Sequence, residues 1–403
     1  MAGARITFVV AALNTGGAER HTVSLRQALA ERGLTSDLLA IGKAKSRALF
    51  DAPGAQGVIE LNAPRLLSRP ATWIETAQAI RRLGPEVLVV TNTPATALVA
   101  ALRGLGLIRS KIVCVFHSTV LDASERASLA AFRVLGRWVD ALVYVSATQR
   151  RYWEAQGLRA RGASVITNGI DLQRFRADAK AGARQRAALG LTPDDYVIGI
   201  VAAIRPEKRH HDLVEAVSLL HRRGPRPKLL IVGDGAGRDA LQRQSRDLGL
   251  MDHVVFAGDQ KDVRPFVAAC DVCVLCSTIE TFSLAALEVL AMGVPLVASD
   301  VGAMSEIVEE GLSGLLFPMG DVGALADRLA VLADPQRRST MASYARASAA
   351  RFEISGMVDR YERLLAELSS AGPPADCGDE RPRPATLGRA SKNERATYPP
   401  TDR

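Results

Sequence analysis

The 403-residue sequence predicts an α/β protein of two domains, each a parallel sheet with helices on both faces. Two observations carry this. Short, wholly apolar runs alternate with longer helical patterns, which marks strands buried on both faces. The alternation breaks near residue 168 and restarts near residue 196, so the series occurs twice. Length agrees, because a chain of this size makes about two ordinary domains. An apolar content of 48% can fill two cores; Ala, Leu and Val carry it, and aromatic residues are only 5%.

In the first half, strands are expected at Ile6–Ala11, Ser36–Ile41, Val87–Thr91, Lys111–Phe116 and Ala141–Val145. Helical patterns lie between them at Ala18–Arg32, Trp73–Leu83 and Pro94–Leu105. In the second half, strands are expected at Tyr196–Val201, Lys228–Val232, Val254–Ala257, Val272–Leu275 and Pro295–Ala298. Helices fall at His210–Arg223, Arg238–Leu248, Ser283–Met292, Ala303–Glu309, Val322–Leu332 and Val358–Leu368. Asn168-Gly169 is a turn signal and opens the break. The boundaries read as 1–170 for the N-terminal domain, 171–192 for a linker and 193–350 for the C-terminal domain. Residues 351–371 read as a terminal helix returning to the N-terminal domain. Residues 372–403, rich in Pro, Gly, Arg and Asp, read as a disordered tail. A ligand site is expected in the cleft between the domains.

Net charge is +8, but no basic run, zinc-finger spacing or helix-turn-helix signal accompanies it, so nucleic acid is not an expected partner. Cys270, Cys273 and Cys276 lie three apart, yet Cys273 sits in an apolar strand-like run and no second cluster matches it. Buried reduced thiols fit better than a metal site. The amino terminus enters a strand directly and no apolar run reaches spanning length, so the expectation is a cytoplasmic protein, with peripheral contact to the inner membrane face. Helices around Thr96–Arg109 or Ser124–Arg137 are candidates for that contact; packing against the sheet is the alternative.

The most informative stretch is Glu280-Thr-Phe-Ser-Leu-Ala-Ala-Leu-Glu288. It follows the apolar run ending at Leu275 and enters the next helix. A strand end and the start of the following helix form the ligand crevice of an open α/β sheet. Two carboxylates beside free helix N–H groups suit a ligand with hydroxyls and phosphate. Alone, the pair equally describes two solvated glutamates.

Other constellations sit at strand ends. Gly16 and Gly17 give a tight turn into a helix opening at Ala18, whose N–H groups are expected to be free. The turn lacks G-x-G-x-x-G spacing, which disfavours a nicotinamide cofactor. His117 ends the run Lys111–Phe116 and can donate to a sugar hydroxyl; a structural histidine is the other reading. Arg205, Lys208 and Arg209 cluster before a helix, where cations are poorly placed unless an anion joins them. No Asp-x-Asp pair occurs, so the metal-chelating motif of many metal-dependent sugar transferases is missing, and a diphosphate leaving group would depend more on protein cations; a solvated basic loop is the other reading. Gly233-Asp234-Gly235 either approaches a ligand or makes a turn.

In order and spacing, these motifs resemble the family-4 glycosyltransferases. The resemblance covers roughly residues 4–370. Its specific part is Arg205-Pro-Glu-Lys208, Gly233-Asp-Gly235 and the block from Glu280 through Pro295 to Gly302, Glu306 and Gly311-Leu-Ser-Gly314; Asn168-Gly-Ile-Asp171 with Phe175 adds to it. It implies the GT-B fold, two Rossmann-like domains facing across a cleft, and sugar transfer with retention and no obligatory metal or other cofactor. It places the donor nucleotide on the C-terminal domain and the acceptor mainly on the N-terminal one. By resemblance Glu280 and His117 contact the donor sugar, Glu288 binds ribose and Lys208 holds the diphosphate. Gly16 and Gly17 approach phosphate or acceptor. Phe282, Ser283 and Leu284 supply backbone N–H groups, and Gly233 and Asp234 line the donor site. The family usually has an arginine where this chain has Ala203; Arg205 is the expected substitute. Ser283 replaces a common glycine and can cap the helix.

The expected partners are a nucleotide-diphosphate sugar, UDP-sugar favoured over GDP-sugar, and a glycan or lipid-linked acceptor in surface polysaccharide or glycolipid synthesis. A nucleotide-sugar epimerase of the same architecture and a non-catalytic nucleotide-sugar-binding protein are the competing readings.

Overall fold

The computed structural model describes residues 5–370 except 15, 45, 46, 48, 65, 119–129 and 131. Cys377 and the expected tail therefore lie outside the described residues, as does half of Ser124–Arg137. The chain forms two compact units. One holds the described residues up to Ile166 and from Val358 onward; the other is Thr167–Met357.

The first unit is built on a seven-stranded parallel sheet. Its strands are β1 (Ile6–Val10), β2 (Ser36–Gly42), β3 (Ile59–Ala63), β4 (Val87–Thr91), β5 (Lys111–Phe116), β6 (Ala141–Tyr144) and β7 (Gly162–Val165). Their order is β3-β2-β1-β4-β5-β6-β7. The chain steps outward from β1 to one edge, then returns to lay β4 on the other side of β1. Loops leaving β1 and β4 consequently diverge and leave a crevice at the strand ends. The register is flush, with Ile6 opposite Val87 and Val87 opposite Lys111.

The second unit repeats the plan with β8 (Val197–Val201), β9 (Lys228–Val232), β10 (Val254–Gly258), β11 (Val272–Leu275), β12 (Leu296–Ser299) and β13 (Gly314–Phe317). The order β10-β9-β8-β11-β12-β13 puts the reversal between β8 and β11. Central strands are buried except at Val201 and Lys228, at strand ends, because helices cover both faces.

Strand starts are tied by aspartates in both units. Asp140, just before β6, accepts from the Ile112 N–H at 2.8 Å and pairs with Arg103, both side chains being buried. Asp271, just before β11, accepts from the Val197 N–H at 2.7 Å and from Arg186 at 2.7 Å.

Three edge or near-edge strands escaped the sequence reading. β3 is partly polar, β7 is short and half-buried, and β13 lies at the sheet edge. The expected linker 171–192 differs more. It contains a helix, Ala179–Ala188, that belongs to the second unit. Gly182 meets the Ala268 carbonyl so closely that a β-carbon would sit 2.3 Å from it. Asp178 caps the helix through the Ala181 N–H, and Arg186 anchors its end. The helix Thr93–Gly104 buries Ala95 to Ala100 and Leu102 in its unit, whereas Leu105, in the same stretch offered above for membrane contact, is 64% exposed. Among the described residues no helix is long and apolar enough to cross a membrane.

Asp140→Ala leaves the Arg103 guanidinium buried without its partner. The first unit should lose about 3–5 kcal/mol in chemical denaturation. The double variant Arg103→Met, Asp140→Ala should recover part of that loss.

Candidate functional site

Because β8 and β11 are neighbours at the reversal, the loops that leave them lie side by side. After β8 the chain runs through Ala202–Ile204 into a single 3₁₀ turn, Pro206–Lys208, with proline at its first position. Arg209 then adopts a left-handed backbone, φ +48°, before the helix His210–Arg223 begins. Its guanidinium bonds Asp212 through two contacts of 2.6 and 3.0 Å. Arg209 is thus committed to the helix it precedes. Lys208 points to the other loop.

After β11 come Cys276, Ser277 and Thr278. The Thr278 N–H donates to the Glu207 carbonyl at 2.9 Å, which stitches the two loops together. Lys208 Nζ donates to Glu280 Oε1 at 2.6 Å, and Ser277 Oγ donates to the same oxygen at 2.7 Å. Glu280 Oε2 takes no hydrogen bond among the described residues. Ser277 is itself fixed, its carbonyl accepting from Ser299 Oγ at 2.6 Å. The result is a nearly buried carboxylate with one oxygen held and the other available.

The helix Leu284–Ala291 follows. Ser283 caps it, its Oγ accepting from the Ala286 N–H at 3.4 Å. The first turn of any helix leaves four N–H groups without intrahelical partners, so Ser283 meets only part of the demand. Phe282 is buried against Phe352, ring centroids 5.4 Å apart, and its carbonyl accepts from Asn168 Nδ2 at 2.9 Å. The Asn-Gly turn signal therefore braces the loop carrying Glu280. Glu288 lies on this helix and is 4% exposed.

Arg205 is different. Its side chain is 65% exposed and its nearest acid, Glu207, is 4.0 Å away. Gly233 and Gly235 have φ of +134° and +159°. A β-carbon would fall 2.1 Å from the Ala202 carbonyl at Gly233 and 2.4 Å from the Ile204 carbonyl at Gly235. These glycines admit the loop that carries Lys208. Asp234 accepts from the Gly235 N–H at 2.7 Å and pairs with Arg238 at 2.8 Å; the first contact leads in holding its carboxyl below the usual range.

In the first unit Gly16 caps the helix Gly17–Glu31, and beside Gly17 there is open space. Glu19 stands in the first turn of that helix, where a β-carbon on Gly16 would sit 2.3 Å from its Oε2, and burial raises its pKa against a smaller lowering by the Glu19 and Gly16 backbone. His117 follows β5. Its backbone N–H donates to Asn92 Oδ1 at 2.9 Å, and its ring lies against His21, centroids 4.7 Å apart. Burial, then the neighbouring His21, holds the His117 imidazolium well below the usual range, so the ring is neutral near pH 7.

Among the described residues no cluster of three or more His, Cys, Asp or Glu could hold a metal ion. Cys270, Cys273 and Cys276 are buried free thiols; Cys270 Sγ donates to the Phe266 carbonyl at 3.1 Å.

Residues 15–174 match the family model for Glycosyltransferase Family 4, and residues 183–348 match that for Glycosyl transferases group 1. Together the two models span most of the chain. It belongs to the family-4 glycosyltransferases.

Relatives of this glycosyltransferase chain agree. It is 29% identical over 365 residues to the lipopolysaccharide core biosynthesis glycosyltransferase LpsE of Rhizobium meliloti, covering 87% of this chain and 96% of that protein. It is 35% identical over 236 residues to a D-inositol 3-phosphate glycosyltransferase of Nocardia farcinica, covering 55% of this chain and 52% of the relative. That second match spans about half the relative's length. The crystal structure of Anabaena HepE in complex with UDP matches with a TM-score of 0.79 at 23% identity, over 90% of this chain and all of that one. The likeness establishes the GT-B fold.

The family motifs named Lys208 and Glu280 separately, and the structure puts the two in contact. They did not disclose Ser277 or Asn168 as supports, because neither contact follows from spacing within one element. His210, which follows the Lys208–Arg209 loop, was also passed over. Burial pushes it down to about 4, against a smaller upward pull from the Ala202 backbone. An unfolded histidine titrates near 6.5. Between about 6.5 and 4 the unfolded chain holds the extra proton, so stability falls as pH falls through that window. His210→Phe should flatten this loss by up to about 3 kcal/mol, read from denaturation midpoints across the window.

Proposed function

We propose that this chain transfers a sugar from a nucleoside-diphosphate donor, UDP-sugar favoured over GDP-sugar, to a hydroxyl of a glycan or lipid-linked acceptor. The setting is surface polysaccharide or glycolipid synthesis. Transfer proceeds with retention and without an obligatory metal. The observation that carries the reading is the Lys208–Glu280 contact at the β8/β11 reversal, beside the start of helix Leu284–Ala291.

The chemistry follows from these groups. The diphosphate binds at the helix start, where N–H groups of Phe282, Ser283 and Leu284 meet it and the helix dipole favours its charge. Lys208 turns from Glu280 Oε1 to a phosphate oxygen. Glu280 Oε2 accepts a hydroxyl of the donor sugar, and Glu288 holds the ribose hydroxyls. The bond from the anomeric carbon to the diphosphate oxygen breaks as the bond to the acceptor oxygen forms. The acceptor proton leaves with the diphosphate, whose charge Lys208 and the helix start offset. Arg205, exposed and without a close partner, supplies the second cation in place of the arginine absent at Ala203. Gly233 and Asp234 support the Lys208 loop from beneath. His117 serves the donor sugar, and Gly16 and Gly17 serve the acceptor side. LpsE and HepE support the reading by what their names and bound nucleotide declare, a lipopolysaccharide-core glycosyltransferase and a UDP complex.

Thermal melting against UDP, GDP and their sugars, with and without magnesium, tests the assignment. One nucleotide at about 100 times its Kd should stabilise the wild type by roughly 2.7 kcal/mol regardless of magnesium. Glu288→Ala and Lys208→Ala should lose that gain. No shift with any nucleotide rejects the reading. Arg205→Ala should weaken nucleotide binding about tenfold, about 1.4 kcal/mol, with an unchanged melting temperature in its absence. Unchanged affinity in that variant removes Arg205 from the site.

A further inference from the structure

Asn168 stands at the turn that opens the second unit, and its segment is locked on three sides. Gly169 approaches Ile354 so closely that a β-carbon would sit 2.7 Å from the Ile354 Cα. The Ile170 N–H donates to the Phe352 carbonyl at 2.8 Å, and the Ile354 N–H donates to the Ile170 carbonyl at 3.0 Å. Phe352 packs its ring against Phe282. Asn168 Nδ2 closes the circuit on the Phe282 carbonyl at 2.9 Å. A carbonyl can only accept, so the amide nitrogen is the end that faces Phe282. Asn168 is buried, and its Oδ1 meets no hydrogen-bond partner among the described residues. One end of this amide is therefore in use, and that end holds the loop before helix Leu284–Ala291.

That bond sets the direction of the next donor. The Phe282 carbonyl and the Ser283 N–H belong to one peptide unit, and no peptide among the described residues is cis. A trans peptide is planar, with its C=O and N–H pointing opposite ways. With the carbonyl held towards Asn168, the Ser283 N–H must point away from it. Among the described residues nothing accepts from that N–H. Turning the peptide over would bury the N–H against Asn168 and present a carbonyl oxygen in its place, which repels an anion.

We propose that Asn168 is a positioning residue for the donor diphosphate: it pins the Phe282–Ser283 peptide so that the Ser283 N–H, and not the Phe282 carbonyl, faces the phosphate. The phosphate rests on the donor reading above; the pinned peptide does not. Asn168→Asp keeps the shape of the side chain but sets a carboxylate oxygen against the Phe282 carbonyl, which favours the turned peptide. Asn168→Ala leaves that carbonyl unheld.

The test compares a nucleoside diphosphate with its nucleoside on the full chain. UDP with uridine, and GDP with guanosine, are titrated into wild type, Asn168→Asp and Asn168→Ala. In both variants the diphosphate should bind about tenfold more weakly, the nucleoside within about twofold of wild type, since one hydrogen bond to a charged group is lost and the nucleoside contacts are kept. The Ser283 amide signal, assigned in the proton–nitrogen NMR spectrum through Ser283→Thr, should move downfield in wild type with the diphosphate and stay in place with the nucleoside. Equal loss of diphosphate and nucleoside assigns Asn168 a structural role only and overturns the proposal. Unchanged diphosphate affinity in folded variants overturns it as well. A wild-type Ser283 amide unmoved by saturating diphosphate overturns it even if both variants fail to fold. If the wild type binds neither UDP nor GDP, the donor reading fails first and takes this inference with it.

Discussion

The contact between Lys208 Nζ and Glu280 Oε1 is the interaction on which the rest of the second unit depends. It joins residues seventy-two positions apart in sequence. It is possible because the strand order reverses between the parallel neighbours β8 and β11, which puts their exits side by side. Every other feature of the site serves to hold it. The Thr278–Glu207 backbone bond fixes the loop spacing, Ser277 shares the carboxylate oxygen, and Gly233 and Gly235 let the lysine loop descend onto β9. A lone buried carboxylate would be costly to keep ionised. With a cation and a hydroxyl on one oxygen, it can offer the second to a ligand.

The first unit uses the same architecture for a different balance of charge. Its reversal lies between β1 and β4, and an acidic residue, Glu19, stands in the first turn of the helix that follows β1. Where the second unit gathers cations, this one places an imidazole, His21, and a phenol, Tyr361, behind His117. Such a site suits hydroxyl-bearing ligands better than phosphate.

Much of this was legible in the sequence. The central strands appear nearly residue for residue, because burial on both faces demands unbroken apolar runs such as Lys228–Val232 and Val272–Leu275. The edge strand β3 was missed for the converse reason: Ile59-Glu-Leu-Asn-Ala63 can be half polar because one side meets solvent. The helix Ala179–Ala188 read as linker because its apolar residues are small, and its attachment depends on Gly182 and Arg186. In the site, residues carried by local motifs were legible, Glu280, Ser283 and Lys208 among them. Residues whose roles are set by long-range contact, Ser277 with Ser299 and His21 with Tyr361, had no spacing to betray them.

The most direct measurement is a crystal structure with the nucleoside diphosphate that melts highest. The account predicts diphosphate oxygens within hydrogen-bonding distance of Lys208 Nζ and of the first N–H groups of helix Leu284–Ala291, with Lys208 released from Glu280. A diphosphate bound elsewhere, with the Lys208–Glu280 contact intact, would contradict it.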